Sequence, residues 1–163
     1  MIRIEHETPD RVGAIRALHL LALPTAGEAD LVNRLRRDGD VAISLVAVEE
    51  KAVVGHIMVS PMRAPFKAFG LGPVVVAPGR QWQGIGTRLV RSGLEQARAE
   101  GWEAVLVVGD PGYYGRFGFS AAAAGGFASH YAGPYFMALS LCGSELPVRT
   151  GSVDYAPAFG DLE

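Results

Sequence analysis

The sequence predicts a single α/β domain, and three observations carry that prediction. A strand–helix–strand passage spans residues 68–108, with a glycine-rich turn between the first strand and the helix. Two strand-like runs, residues 41–48 and 52–59, precede it and are joined by Glu49-Glu50-Lys51, which makes a hairpin. The chain is 163 residues long with 49% hydrophobic and 20% charged residues, enough to bury one core and too apolar for disorder.

The elements follow in order. Ile2 and Ile4 alternate with Arg3 and Glu5, as in a short half-buried strand. Thr8-Pro9-Asp10 opens a helix, with Thr8 as N-cap and Pro9 in the first turn. Val12, Ile15, Leu18 and Leu21 recur at helical spacing until residues 24–27 break the pattern, and Leu31, Val32 and Leu35 mark a second helix ending near Gly39. After the hairpin, residues 61–66 are loop. Residues 68–76 form a strand that Gly70, Gly72 and Pro73 make irregular, because proline cannot donate to a ladder and glycine often marks a bulge. Residues 85–100 give the clearest helix. Leu89, Val90, Gly93, Leu94 and Ala97 share one face, Arg88, Arg91, Glu95 and Arg98 the other, and Gly101 suits the C-terminal cap. Residues 104–108 are continuously apolar, as in a strand covered on both faces, so the passage implies a parallel pair with a right-handed crossover. Residues 113–117 form a short helix at most, and residues 136–141 a last strand. From Gly143 on, with Pro147, Pro157 and Gly160, little regular structure is expected.

Bulk properties narrow the function. The net charge of −2 and the absence of a basic stripe exclude nucleic acid as the expected partner. No apolar run approaches the roughly 18 residues of a membrane helix, and the charged, alternating N-terminus is not a signal peptide. Cys142 is the only cysteine, so intramolecular disulfides are impossible and a reducing cytoplasm is the expected location. Cys142 itself reads as a small core residue, with a nucleophile as the alternative. No metal site is expected: His6 and Glu7 lack the second histidine of a zinc helix, and no Cys/His cluster has ligand spacing. Ser60, Ser92 and Ser140 lack a nucleophile-elbow context.

The informative stretch is VVVAPGRQWQGIGTRLV, residues 74–90. Three β-branched residues end a strand, and a loop with Pro78, Gly79, Gly84 and Gly86 enters a helix. The first helical turn offers N–H donors and the positive end of the dipole, and glycines let backbone approach a ligand, which together favour an anion such as phosphate. A P-loop would need Lys after Gly86, and a dinucleotide fingerprint would need glycine where Leu89 stands. A plain structural turn is the alternative.

Gln81-Trp82-Gln83-Gly84-Ile85-Gly86 resembles the Gln/Arg-x-x-Gly-x-Gly/Ala signature of the GNAT N-acetyltransferases. GDPGYYGRFGF (residues 109–119) and GHIMVSPM (residues 55–62) are similar to a subgroup of uncharacterised bacterial acetyltransferases called YhbS-like, with Tyr114 five residues before Phe119. The resemblance implies a mixed, mostly antiparallel sheet of about six or seven strands. Its parallel fourth and fifth strands would be splayed by a bulge, for which Gly72-Pro73 is suited, and helices would cover both faces. It implies acetyl-CoA (coenzyme A) as cosubstrate: Gln81, Trp82, Gln83, Gly84, Ile85, Gly86 and Thr87 around the pyrophosphate, and Val74, Val75 and Val76 as backbone partners of the pantetheine arm, with their side chains in the core. Trp82 departs from the commoner small residue.

The implied activity is N-acetyl transfer, in which a primary amine of a small molecule or peptide attacks the thioester directly. A CoA-binding sensor with little turnover, or transfer of a longer acyl group, are the alternatives. Tyr114 is the candidate acid for the leaving thiolate, since a phenol (pKa near 10) can protonate a thiolate (thiol near 8.5) that the site stabilises; packing against the cofactor is its alternative role. The base is open among His56, Glu49 and His130. His56 also reads as a buried core histidine and Glu49 as a solvated charge. His130 and Tyr131, in residues 125–134, form a candidate acceptor-site loop. A homodimer, common in the family, is an open expectation.

Overall fold

The structure is a computed structural model and describes residues 1–162. In chain order the elements are β1 (Ile2–His6), α1 (Val12–Ala22), α2 (Gly27–Asp38), β2 (Ile43–Glu49), β3 (Ala52–Pro61), β4 (Ala68–Val76), α3 (Ile85–Ala99), β5 (Ala104–Val108), α4 (Pro111–Tyr114), α5 (Ala121–Ala124), β6 (Phe127–Ala128), β7 (Phe136–Ser140) and β8 (Gly151–Ser152). Six strands form one sheet in the order β1-β2-β3-β4-β5-β7, and β6 and β8 form a separate parallel pair. In the large sheet, β1–β2, β2–β3 and β5–β7 are antiparallel and β4–β5 parallel, as the mixed topology expected from the resemblance requires.

The chain divides into two units that interleave in sequence, so no linker separates them. The first comprises Met1–Val59, Gly72–Gly93 and the residues from Pro157 on; the second comprises Ser60–Leu71 and Leu94–Ala156. The core of the first holds Ile15, Val32, Leu35, Ile57, Met58 and Leu89. Here α2 ends on Gly39 in the left-handed conformation (φ 77°), and the amides of Gly39 and Asp40 return to the carbonyls of Arg36 and Leu35. In the second unit, Ala68, Leu106, Phe127, Phe136, Ala138 and Val153 pack together, and Phe69 meets Trp102 edge to face at 5.3 Å.

The parallel ladder is short: Ala68, Phe69 and Gly70 pair with Ala104, Val105 and Leu106. Beyond it, β4 carries Gly72 at φ 135° and Pro73, where the sequence marks a bulge. In the first unit, Gly55 of β3 lets α3 pack closely, because a Cβ there would stand 3.0 Å from Leu89 Cδ1 and 3.1 Å from Ile85 Cγ2.

Four expectations need correction. Thr8 makes no side-chain cap; Pro9–Arg11 is a turn of 3-10 helix and α1 starts at Val12. Of the three valines, Val75 alone is buried, while Val74 and Val76 are half-buried, because alternate side chains of a strand point to opposite faces. Cys142 is exposed, since it lies beyond the end of β7. The tail is structured: β8 pairs with β6, Arg63 and Asp154 exchange backbone hydrogen bonds of 3.0 and 2.9 Å, and Val153, Ala156 and Ala158 are buried. Small apolar residues between the prolines, and Gly126, make this packing possible; a Cβ on Gly126 would overlap the carbonyl of Arg149.

Candidate active site

The glycine-rich loop leaves β4 through a 3-10 turn, Pro78–Arg80. Its base is fastened to the hairpin. The Ala77 amide donates to the Val54 carbonyl at 2.8 Å, and the Arg80 guanidinium donates to the Glu49 carboxylate. Glu49 is therefore an ion-pair partner of Arg80, contrary to a freely solvated charge. Gln81, Trp82, Gln83 and Gly84 are exposed, and the Gln81 side chain reaches the Val76 carbonyl at 3.4 Å. Trp82 (φ 68°) and Gly84 (φ 81°) both take the left-handed conformation, costly for a residue with a Cβ and tolerated by glycine. The Gly84 carbonyl accepts from the Arg88 amide at 3.0 Å, so Ile85, Gly86 and Thr87 form the first turn of α3, whose amides point toward the helix N-terminus. The first turn of a helix of fifteen residues, entered from an exposed loop with open space around Gly84, fits a pyrophosphate group.

Tyr114 is positioned by a small local design in the second unit. Asp110 caps α4, its carboxylate accepting from the Gly112 amide at 2.9 Å, and Pro111 occupies the first turn. The Tyr114 ring lies over Gly109 so closely that a Cβ there would overlap it, and it meets Tyr113 edge to face at 5.0 Å and Phe119 at 5.8 Å. The spacing of Tyr114 and Phe119 thus brings the two rings together. Burial, and next the neighbouring Tyr113, push the Tyr114 phenol up to about 12, so it is fully protonated at neutral pH.

His56 is completely buried in β3. Its Nδ1 lies 2.9 Å from Nε2 of His19 in α1, and its Nε2 lies 2.8 Å from Ser44 Oγ in β2. Ser44 donates to Glu7 Oε1 at 2.8 Å, and Arg36 of α2 grips the same carboxylate at 2.6 and 2.9 Å. Burial alone would raise Glu7, but the hydrogen bonds from Arg36 and Ser44 and the Arg36 charge more than offset it and hold the carboxyl below its usual value. Burial, then His19 and Arg36, push His56 well below an ordinary histidine; burial, then Arg36, bring His19 down to about 4. Sequence reasoning missed His19, Ser44 and Glu7 as partners of His56. The one available signal was a histidine following Ile15 and Leu18 on the apolar face of α1.

In residues 125–134, His130 is exposed and stacks edge to face on half-buried Tyr131 at 5.1 Å; Tyr131 in turn meets Tyr155 at 5.2 Å. This segment is a built part of the second unit, since it contains β6. Among the described residues, no group of three His, Cys, Asp or Glu side chains is close enough to hold a metal ion, and no helix is long and apolar enough to cross a membrane.

Residues 13–119 match the model of the acetyltransferase (GNAT) family. The chain belongs to the GNAT acetyltransferase family. It is 32% identical to YhbS, an uncharacterised N-acetyltransferase of Escherichia coli K12, over 98% of both chains. A crystal structure of E. coli YhbS in complex with CoA superposes with a TM-score of 0.91, covering 98% of this chain and 92% of that one. A GNAT family acetyltransferase from Brucella melitensis in complex with acetyl-CoA is 36% identical, with a TM-score of 0.82 and 98% of each chain covered. The GNAT fold expected from the loop and tyrosine motifs is the fold of this chain.

Proposed function

We propose that this GNAT protein transfers the acetyl group of acetyl-CoA to a primary amine of a small molecule or peptide by direct attack of the amine on the thioester. The observation that carries this reading is the exposed loop of Gln81, Trp82, Gln83 and Gly84 running into the first turn of α3, a set of backbone donors matched to a pyrophosphate. Gln81, Trp82, Gln83, Gly84, Ile85, Gly86 and Thr87 hold that group, and the backbone of Val74, Val75 and Val76 pairs with the pantetheine amides. The CoA and acetyl-CoA complexes of the two relatives support the choice of cosubstrate.

Attack needs a nucleophile that sheds a proton and an acid beside the leaving sulfur. Tyr114 supplies the acid. Its raised pKa keeps the phenol protonated, so it donates a hydrogen bond to sulfur as negative charge develops. His130 and Tyr131 contribute to acceptor recognition.

Titration calorimetry of acetyl-CoA into the wild type and into a Gly84→Glu/Gly86→Glu double variant tests the reading. Binding in the wild type and a loss of at least about 100-fold in the variant are expected, because two carboxylates would then face the phosphates. A wild type that does not bind acetyl-CoA would sink the proposal. Binding with no acetylation across a broad amine panel would convert it to a CoA-sensing module.

A further inference from the structure

The loop of residues 81–87 takes conformations that its own exposed side chains do not hold. Trp82 has φ 68° with its side chain fully exposed, and Gly84 has φ 81° with open space around it. A left-handed residue with a Cβ persists where the surrounding chain fixes it. Here the two ends of the loop are fixed. Just before it, the Arg80 guanidinium donates to the Glu49 carboxylate at the end of β2. Just after it, the Arg88 guanidinium in α3 donates to the Ile2 carbonyl of β1 at 3.0 Å. Ile2 and Glu49 stand opposite each other in the β1–β2 ladder. The two arginines that bracket the loop are thus tied to one cross-strand pair. The Ala77 amide adds a third tie, donating to the Val54 carbonyl of β3 at 2.8 Å. All of these residues belong to the first unit.

We propose that Glu49, Arg80 and Arg88 are positioning residues, which tie both ends of the loop to the Ile2–Glu49 pair and so hold its backbone in the anion-binding shape before acetyl-CoA arrives. The inference rests on the acetyl-transfer reading for the identity of the ligand. The Arg80 charge is matched by Glu49, and Arg88 is directed onto a carbonyl, so both contribute through the shape of the loop. A loop left untied would lose its backbone freedom on binding, and that ordering would be subtracted from the affinity. Tying it in the free protein moves the cost into folding. The role of Glu49 has a sign that can be read. A carboxylate paired with the residue next to Gln81 disfavours an anionic ligand by charge alone. As a positioning residue it favours that ligand, because it holds the loop that receives it.

Nitrogen-15 relaxation of the backbone amides reads the clamp in the free protein. Residues 82–87 should have order parameters of about 0.85 in the wild type, as in rigid backbone, and Glu49→Gln should lower them toward about 0.6. The thermal midpoint should stay within about 3 °C, which confines the change to the loop. Titration calorimetry with acetyl-CoA reads the consequence. Glu49→Gln and Arg80→Gln should each weaken binding about fivefold, the scale of a half-buried ion pair, and Arg88→Met about threefold. The double variant Glu49→Gln/Arg80→Gln should lose no more than the larger single loss, because both changes remove one contact. Arg80→Lys, which keeps the pairing charge, should stay within about twofold of the wild type. Acetyl-CoA affinity that is unchanged or higher in Glu49→Gln overturns the clamp, and a higher one makes Arg80 a direct phosphate ligand. Order parameters that are equal in the wild type and Glu49→Gln overturn it as well. A wild type that does not bind acetyl-CoA overturns the cosubstrate reading instead, and the relaxation data then still decide whether the loop is clamped.

Discussion

The loop of residues 81–87 and the chain of Glu7, Ser44, His56 and His19 lie in the same unit and are built on opposite principles. In the loop, backbone amides are the proposed ligand-binding groups, the side chains of Gln81, Trp82 and Gln83 are exposed, and the residues are contiguous. In the chain, side chains make the hydrogen bonds, His19 and His56 are fully buried, and four separate segments each contribute one residue. A site made of backbone depends on conformation and tolerates changes of exposed side chain. A site made of buried side chains depends on each atom and on protonation state.

The largest effect that would break this contrast is a response to pH. His19 folds with a pKa of about 4, below its unfolded value near 6.5, so the unfolded chain binds a proton first as pH falls. The stability is therefore fully present above about pH 6.5 and drains as pH drops toward 4, by on the order of 3 kcal/mol for His19. His56 adds to the same trend, since its pKa is lowered too. Urea unfolding in small pH steps should show this slope in the wild type and a shallower one in His19→Gln. A flat profile from pH 6.5 to 4.5 would show that the histidines are not buried neutral.

Tyr114 extends the side-chain half of the comparison. Tyr114→Phe removes one oxygen and leaves the ring over Gly109. It should lower kcat about 100-fold while the acetyl-CoA Kd holds, because donation to sulfur matters only as the bond breaks. Unchanged turnover would reduce Tyr114 to packing.

The smallest effect belongs to the loop. Trp82 is fully exposed with φ 68°, so Trp82→Gly removes backbone strain and no packed contact. Thermal unfolding should show a gain of up to about 1 kcal/mol, with acetyl-CoA affinity within about threefold of the wild type. A large loss of affinity would show that the indole ring itself meets the ligand and would sharpen the contrast into an exception.

The same contrast explains what the sequence disclosed. The loop was legible because its residues are adjacent and Gly84 takes a left-handed conformation that glycine favours. The α3 helix, the hairpin and β5 were legible because their apolar periods are unbroken. The polar chain was not, because Glu7 and His56 are 49 positions apart and only the pairing of β2 with β3, Val46 against His56 and Ser44 against Met58, brings Ser44 to the imidazole. The tail from Gly143 looked irregular because its order comes from tertiary bridges, such as Arg63 with Asp154, and not from any repeating pattern of its own.

The exposure of Cys142 has a practical side. As the one thiol of the chain, accessible just past β7, it is a stoichiometric attachment point for a fluorophore or spin label far in sequence from every residue of the loop. In aerated buffer the same thiol can couple two copies through an intermolecular disulfide. A dimer seen by gel filtration therefore reports native self-association only if it survives a reducing agent.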